Sequence, residues 1–238
     1  MKSKTELLLS LTSIILLTGC MQDEHGSIEH IKKVTSAIDD SRLVNADNTP
    51  SDWLSYGRNY AEDRYTTLEQ INKDNIKNLG LAWSLSIGTT LNGIETTPVV
   101  VDGIMYFTGP WSKVYAVNAV TGRMIWTYDP KVPGYYGQKP CCDVVNRGVA
   151  LYRGKVYVGI IDGRLISLEA SSGKPVWEMM TVDTTKPYTI TGAPRIVDGK
   201  VIIGNGGAEL GVRGYITAYD AITGKQLWRF FTVPGNPS

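Results

Sequence analysis

At 238 residues with a hydrophobic share of 42%, the chain is long enough for one large all-β domain or two ordinary domains. A formal net charge of +1 gives no electrostatic basis for binding nucleic acid, and only two histidines, both near the N-terminus, argue against a histidine-built metal site. Thirteen Tyr and six Trp against three Phe favour a strand-rich protein with partly hydrated sites.

The first nineteen residues are typical of an export signal and not of a folded segment. Lys2 and Lys4 precede an apolar run, residues 7–17, that is too short to span a bilayer comfortably. The run leads into Leu-Thr-Gly-Cys at 17–20, which resembles a bacterial lipoprotein signal with Cys20 as the lipidated residue. A plain secretory peptide is the alternative, and both predict export to the periplasm, where disulfides are permitted. The residue after Cys20 is not aspartate, which favours an outer-membrane lipid anchor as the chain's contact with membranes.

Residues 20–50 are polar and charged without sustained periodicity, which predicts a polar tether. Residues 51–238 are predicted to form the folded domain. Within it, a short helix is predicted near residues 74–78, and strands are predicted to begin at 81–83.

From Trp83 onward the chain repeats itself. Segments 116–126, 167–177 and 218–228 align and place Trp126, Trp177 and Trp228 51 residues apart. Each segment predicts a strand, a turn at a glycine and a second strand, and each is preceded by a hairpin with its own glycine turn. Two hairpins per repeat make four strands, which predicts the blades of a β-propeller. We expect the recurring Trp side chains to pack between neighbouring blades and to be structural.

The loops before the opening strands of the repeats carry polar or reactive side chains: Glu95, Cys141-Cys142, Arg147 and Thr191. Adjacent cysteines in an exported protein can oxidise to a vicinal disulfide, which forms a flat, polarisable plate. The simpler alternatives are a solvated charge at Glu95, free thiols or a bond to Cys20, a surface ion pair at Arg147, and a plain strand end at Thr191. Because propeller loops at one face converge on the axis, we expect these residues to meet.

A glycine-rich run, 206–214, separates strand-like segments 200–204 and 215–219 and is predicted to be a loop at a sheet edge. Its glycines permit close approach of a flat ligand, and the Glu209 carboxylate can hold a hard cation. The alternative is an ordinary hairpin turn in which Glu209 pairs with Arg213.

The A-x-x-A-x-(T/S)-G-x-x-x-W repeat, with CCDVVNRG at 141–148 and GGAELGVRGY at 206–215, resembles the pyrroloquinoline quinone (PQQ) alcohol dehydrogenases of the methanol/ethanol dehydrogenase family. The resemblance covers about residues 53–238. It implies an eight-bladed propeller, of which three to four blades are present here. It also implies PQQ-dependent oxidation of a primary alcohol to an aldehyde, with an acceptor such as a cytochrome c.

The same resemblance implies roles for individual residues. Cys141 and Cys142 would form the disulfide plate on one face of PQQ, Arg147 would bond the quinone oxygens, and Glu209 would ligate Ca²⁺ or, in its place, a lanthanide. The remaining implied cofactor contacts are Glu95, Thr191, Gly206, Gly207 and Ala208.

The family's catalytic Asp lies downstream of the Glu209 motif, so no catalytic residue is predicted within this chain. We therefore interpret the sequence as an N-terminal fragment without turnover of its own. One alternative is a non-catalytic propeller lipoprotein that helps to assemble outer-membrane proteins, which shares the repeat but not the two loop motifs. Another is a PQQ sugar dehydrogenase, whose known relatives lack the cysteine pair.

Overall fold

Three four-stranded antiparallel sheets form most of the structure, a computed structural model that describes residues 25–88 and 93–235. The strands of each sheet follow one another in chain order, so each sheet is a meander of two hairpins. The first blade contains β1 (Val99–Val101), β2 (Ile104–Thr108), β3 (Val114–Asn118) and β4 (Met124–Tyr128). The second contains β5 (Ala150–Tyr152), β6 (Lys155–Gly159), β7 (Arg164–Glu169) and β8 (Pro175–Met180). The third contains β9 (Arg195–Val197), β10 (Lys200–Gly204), β11 (Tyr215–Asp220) and β12 (Gln226–Phe231). The predicted all-β propeller architecture is confirmed.

Two-residue turns join the first two strands of each blade. Both residues have positive φ in every case: 42° and 73° at Asp102-Gly103, 45° and 75° at Arg153-Gly154, and 49° and 67° at Asp198-Gly199. A type I′ turn requires this conformation at both positions, and glycine adopts it without a Cβ penalty. We call the end of the blades that carries these turns the turn face. The opposite end, where the loops before β1, β5 and β9 lie, is the loop face.

The repeated tryptophans dock each blade onto the next, as predicted. Trp126 Nε1 donates to the Ala170 carbonyl at 2.9 Å, and Trp177 Nε1 donates to the Ala221 carbonyl at 3.1 Å. The Trp126 ring also covers Gly173, where an added Cβ would lie 2.6 Å from the ring. The glycine of each repeat is therefore needed to admit the indole of the preceding blade.

Trp83 and Trp228 occupy the two ends of this series. Trp83 docks in the same way, because its Nε1 donates to the Ala119 carbonyl at 3.0 Å and its ring covers Gly122. Residues 81–83 nevertheless form no strand, so the predicted strand start is wrong: they have no ladder partner within the described part of the chain. Trp228 is 42% exposed, since no blade follows it among the described residues.

We expect Trp126→Ala to lower the free energy of unfolding by about 3–5 kcal/mol, because the indole is buried between two blades. Trp228→Ala is the matched control and should cost no more than about 1 kcal/mol, since that side chain is already partly in water. Urea unfolding followed by circular dichroism measures both. Equal losses in the two variants would contradict the docking role.

The prediction of a polar tether is wrong for the part of residues 20–50 that the structure describes. That segment forms helices α1 (Ile28–Ser36) and α2 (Asp40–Val44), which are capped by the side chains of Ser27 and Asp39. Ile31 and Ile38 are fully buried. Such sparse apolar residues among many polar ones leave little periodic signal, although each is enough to anchor a short helix.

This N-terminal segment lies across the turn face and contacts all three blades. The main-chain N–H of Arg153 donates to the Ile38 carbonyl at 2.8 Å, and the N–H of Gly199 donates to Asp40 Oδ1 at 2.9 Å. His30 Nε2 lies 2.9 Å from Asp102 Oδ2 in the first blade. Burial and the hydrogen bond that its hydroxyl donates to the Asp40 carboxylate raise the pKa of Tyr152 to about 12. The segment therefore ties the turns of successive blades together.

The short helix predicted near residues 74–78 is a single 3₁₀ turn, Ile76–Asn78. The export signal and Cys20 lie outside the described residues. Among the residues that are described, no helix combines the length and apolar character needed to cross a bilayer.

Candidate functional site

The loops that open the three blades are hydrogen-bonded to one another at the loop face. The N–H of Thr97, before β1, donates to the carbonyl of Arg147, before β5, at 3.2 Å. The N–H of Arg147 in turn donates to the carbonyl of Thr191, before β9, at 2.9 Å. These main-chain bonds link successive blades around the axis. They bring together residues that lie 50 and 44 positions apart in the sequence.

The side chain of Arg147 connects two of the other predicted site residues. Its Nη1 donates to Thr191 Oγ1 at 2.7 Å, and its Nη2 lies 3.0 Å from Glu95 Oε2. The side chains of Arg147 and Glu95 are 36% and 44% exposed, so water screens their ion pair. The structure therefore joins Glu95, Arg147 and Thr191 in one polar group that remains accessible to a ligand.

Cys141 and Cys142 are bonded to each other as a vicinal disulfide, with their Cα atoms 3.8 Å apart. The disulfide is exposed within the long loop between β4 and β5. The loop is held near the cysteines by a main-chain hydrogen bond, in which the backbone N–H of Trp111 donates to the Val144 carbonyl at 2.8 Å. This disulfide excludes the two alternatives that the sequence allowed for the cysteine pair, which were free thiols and a bond to Cys20.

The glycine-rich run is a loop between two strands, as predicted, although it connects the inner strands β10 and β11 at the loop face and does not lie at a sheet edge. Its first glycines have a structural role. Gly206 forms an isolated bridge with Thr189, in which its N–H donates to the Thr189 carbonyl at 2.7 Å. Gly207 has φ of 103°, and an added Cβ would overlap the carbonyl oxygen of Pro187. These two glycines are therefore required for the close approach of two protein segments, and the N–H of Gly206 is already used.

After these glycines, Ala208–Leu210 forms a 3₁₀ turn that exposes Glu209. The N–H groups of Gly207 and Ala208 have no hydrogen-bond partner among the described residues. The alternative in which Glu209 pairs with Arg213 is not observed. Arg213 Nε instead donates to the Val233 carbonyl at 2.7 Å, and its guanidinium lies over the Phe231 ring.

A cavity of about 90 Å³ lies between the disulfide and the glycine-rich loop. The predicted residues that line it are Cys141, Cys142, Arg147, Thr191, Gly206, Gly207 and Glu209. A second cavity, of about 260 Å³, shares Arg147, Thr191 and Gly206 with the first. Glu95 joins through its contact with Arg147, whereas Ala208 is exposed and does not line either cavity.

Other lining residues of the smaller cavity were missed by sequence reasoning: Pro140, Asp143, Val145 and Thr189. Asp143 directly follows the cysteine pair, and from this adjacency its place in the cavity could have been predicted. The charged lining residues are Asp143 and Glu209 against Arg147, which is itself paired with Glu95. The carboxylate of Glu209 offers oxygen atoms of the kind that hard cations prefer as ligands.

The two histidines also meet, but at the turn face. His25, His30 and Asp102 have potential ligand atoms within 4.8 Å of one another. The N–H of Gly26 donates to His30 Nδ1 at 3.1 Å, which places the ring proton on Nε2, 2.9 Å from Asp102 Oδ2. Both nitrogens of His30 are thereby used in fastening the N-terminal segment to the first blade, and neither has a lone pair left for a metal.

One family profile, described as the PQQ glucose/ethanol/alcohol dehydrogenase β-propeller domain, matches residues 53–238. The quinohemoprotein alcohol dehydrogenase ADH-IIG of Pseudomonas putida is 55% identical over 205 residues, which are 86% of this chain and 28% of that protein.

Solved structures give the same result. The quinohemoprotein alcohol dehydrogenase of Comamonas testosteroni superposes with a TM-score of 0.84 at 56% identity, over 88% of this chain and 31% of that one. A europium-containing methanol dehydrogenase superposes with a TM-score of 0.76 at 41% identity, over 80% of this chain and 34% of that one. The chain therefore spans about three tenths of the length of the quinohemoprotein relatives that it matches.

Proposed function

The chain belongs to the glucose/ethanol/alcohol dehydrogenase β-propeller family, and we propose that it supplies part of the PQQ site of an enzyme that oxidises a primary alcohol to an aldehyde. The observation that carries the proposal is the cavity at the loop face. It combines the disulfide, the guanidinium of Arg147, the hydroxyl of Thr191 and the carboxylate of Glu209. The names of the relatives, which are alcohol dehydrogenases, support the type of reaction.

The residues of the cavity fit a flat, anionic quinone. The disulfide of Cys141 and Cys142 offers an exposed, polarisable surface for a planar ring system. Thr191, Glu95 and the available N–H group of Gly207 would fix its carboxylates and ring atoms. When bound, PQQ would accept the hydride that carries both electrons away from the alcohol. Arg147 would orient the quinone oxygens and stabilise negative charge that develops on them.

We propose Glu209 as a ligand of Ca²⁺ or of a lanthanide in the same cavity. Hard cations prefer oxygen ligands, and Glu209 lies on a loop with exposed main-chain atoms around it. The europium named for one relative supports this type of ion. The cation would offset the charge of Glu209 toward an anionic ligand and would act as a Lewis acid.

We propose no residue of this chain as the catalytic base, which is an aspartate in the family that the sequence resembles. The proposed partners are a small alcohol and an electron acceptor such as a cytochrome c. The name of a 1-butanol dehydrogenase (cytochrome c) among the relatives supports that acceptor. This chain would then bind the cofactor without oxidising alcohol.

We also propose export to the periplasm with a lipid on Cys20. The vicinal disulfide supports an oxidising compartment, and the sequence of residues 1–20 supports the lipid anchor. Incorporation of labelled palmitate, lost in a Cys20→Ala variant, is the measurement that decides it.

The proposed function is tested by titrating the purified chain with PQQ in the presence of Ca²⁺ and following tryptophan fluorescence. We expect saturable binding with one PQQ per chain, and no alcohol oxidation with an artificial acceptor. A Cys141→Ser/Cys142→Ser variant should bind more weakly, because the disulfide surface is gone. If no saturable binding is found with Ca²⁺ present, the PQQ assignment fails and the non-catalytic propeller becomes the better hypothesis.

A further inference from the structure

A buried polar cluster lies directly behind Arg147, with Asn146 at its centre. Asn146 is 1% exposed, and its amide uses every donor and its acceptor. The Nδ2 group donates to Ser112 Oγ at 3.1 Å and to the Gly159 carbonyl at 2.7 Å, while Oδ1 accepts from the N–H of Gly148 at 3.1 Å. The amide meets the carbonyl oxygen of Gly159 on one side and the N–H of Gly148 on the other, so these partners determine its orientation.

The cluster joins the first blade to the second. Ser112 follows β2 in the first blade, is fully buried, and accepts a second hydrogen bond at Oγ from the N–H of Ile161 at 3.1 Å. Trp111 and Ser112 have φ of 62° and 57°, a left-handed conformation that is costly for residues with side chains. Such strain persists only where the surroundings impose it. Here, the strained turn directs the Ser112 hydroxyl to Asn146 and Ile161.

The main chain of Asn146 is held as well. Its carbonyl accepts from Thr108 Oγ1 at 3.0 Å. Thr108 in turn bonds to Thr96, because its N–H donates to Thr96 Oγ1 at 3.1 Å and the two hydroxyls lie 3.0 Å apart. The cluster therefore ends at the residues immediately adjacent to Arg147 and Glu95, the two members of the exposed ion pair.

The ion pair itself cannot hold the guanidinium in one place. Both members are more than a third exposed, and pairs of this kind contribute about 0–1 kcal/mol. The planar guanidinium of Arg147 can donate to oxygen atoms in two directions at once only if the main chain that carries it is held in one position. Arg147 is also hydrogen-bonded at the loop face, through its guanidinium to Thr191 and through its main chain to Thr97 and Thr191. From the buried side, Asn146 adds support at the adjacent residue, because its side-chain amide is fully hydrogen-bonded.

We propose that Asn146 is a positioning residue for Arg147: it fixes the main chain from which the guanidinium extends, so that the site is preorganised before a ligand arrives. The consequence for cofactor binding rests on the proposed function. The consequence for the mobility of Arg147 does not, since it concerns the chain without ligand.

The first experiment compares Asn146→Ala with the wild-type chain in PQQ titrations with Ca²⁺. We expect binding to weaken about ten- to a hundred-fold, as is typical when the support behind a liganding group is removed. Asn118→Ala is the matched control: Asn118 is also buried, at 4% exposed, and its Oδ1 accepts from two N–H groups, but it lies at the turn face. It should leave affinity unchanged. Equal affinities of wild type and Asn146→Ala would overturn the proposal.

A second measurement tests the positioning role without PQQ. If the chain binds no PQQ, that result overturns the proposed function but not the positioning role. The heteronuclear NOE of the Arg147 Nε–H, assigned from its loss in Arg147→Lys, reports side-chain mobility in the free chain. It should fall in Asn146→Ala and stay at the wild-type value in Asn118→Ala. The milder Ser112→Ala removes one partner of Asn146 and should give a smaller fall, so it serves if Asn146→Ala does not fold. An unchanged NOE in the variants that fold would overturn the positioning role.

Discussion

Replacing Arg147 with alanine is expected to weaken PQQ binding by roughly 30-fold or more. The loss of one partner from a hydrogen-bonded charge contact costs about 2–5 kcal/mol, because the other partner stays desolvated and unpaired. In this site the change also leaves Glu95 without its cation, so an uncompensated carboxylate would face an anionic ligand. Fluorescence titration with PQQ at constant Ca²⁺ measures the loss.

Arg147→Lys separates charge from geometry in the same titration. Lysine keeps the positive charge but not the planar fork that reaches Thr191 and Glu95 together, so an intermediate loss is expected. Arg123→Ala, an exposed arginine at the turn face, should bind PQQ as the wild type does. A loss below about three-fold in Arg147→Ala would mean that the guanidinium does not contact the ligand.

The second large effect is expected from Glu209→Gln, which should abolish the dependence of PQQ affinity on Ca²⁺. Two ligands that meet in one site change each other's affinity by the same factor, typically about 5- to 150-fold. We expect the wild type to lose affinity for PQQ by such a factor when EGTA removes Ca²⁺. In Glu209→Gln the affinities with and without Ca²⁺ should be equal, since the carboxylate ligand is gone.

Glu209→Gln also tests how the charge of the carboxylate affects PQQ binding when Ca²⁺ is absent. Because glutamine removes a negative charge from the cavity, Glu209→Gln in EGTA should bind PQQ at least as tightly as the wild type does in EGTA. Glu169→Gln is the control, since Glu169 pairs with Lys155 away from the cavity and should retain the full effect of Ca²⁺. A Glu209→Gln chain that still responds fully to Ca²⁺ would exclude Glu209 as the metal ligand.

Parts of the site were predictable because the repeat places similar loops at similar positions. Once four-stranded blades are inferred, the loops before β1, β5 and β9 must lie at one end, and Glu95, Arg147 and Thr191 lie in those loops. The partners of Asn146 were not predictable. They come from three separate loops or strands, and neither Ser112 nor Gly159 belongs to a motif that marks it as a partner.

The sequence by itself determined the blade architecture, because Trp126, Trp177 and Trp228 recur at a constant interval with their glycine turns, and such regularity is visible without coordinates. It also determined which loop motifs were candidates for chemistry. The tertiary structure alone decided how Gly206 and Gly207 are used. They admit the segment 187–189, a neighbour that is close in space and distant along the chain. It likewise decided that residues 28–44 pack as helices under the blades, because the apolar surface that buries Ile31 and Ile38 exists only after the sheets have formed.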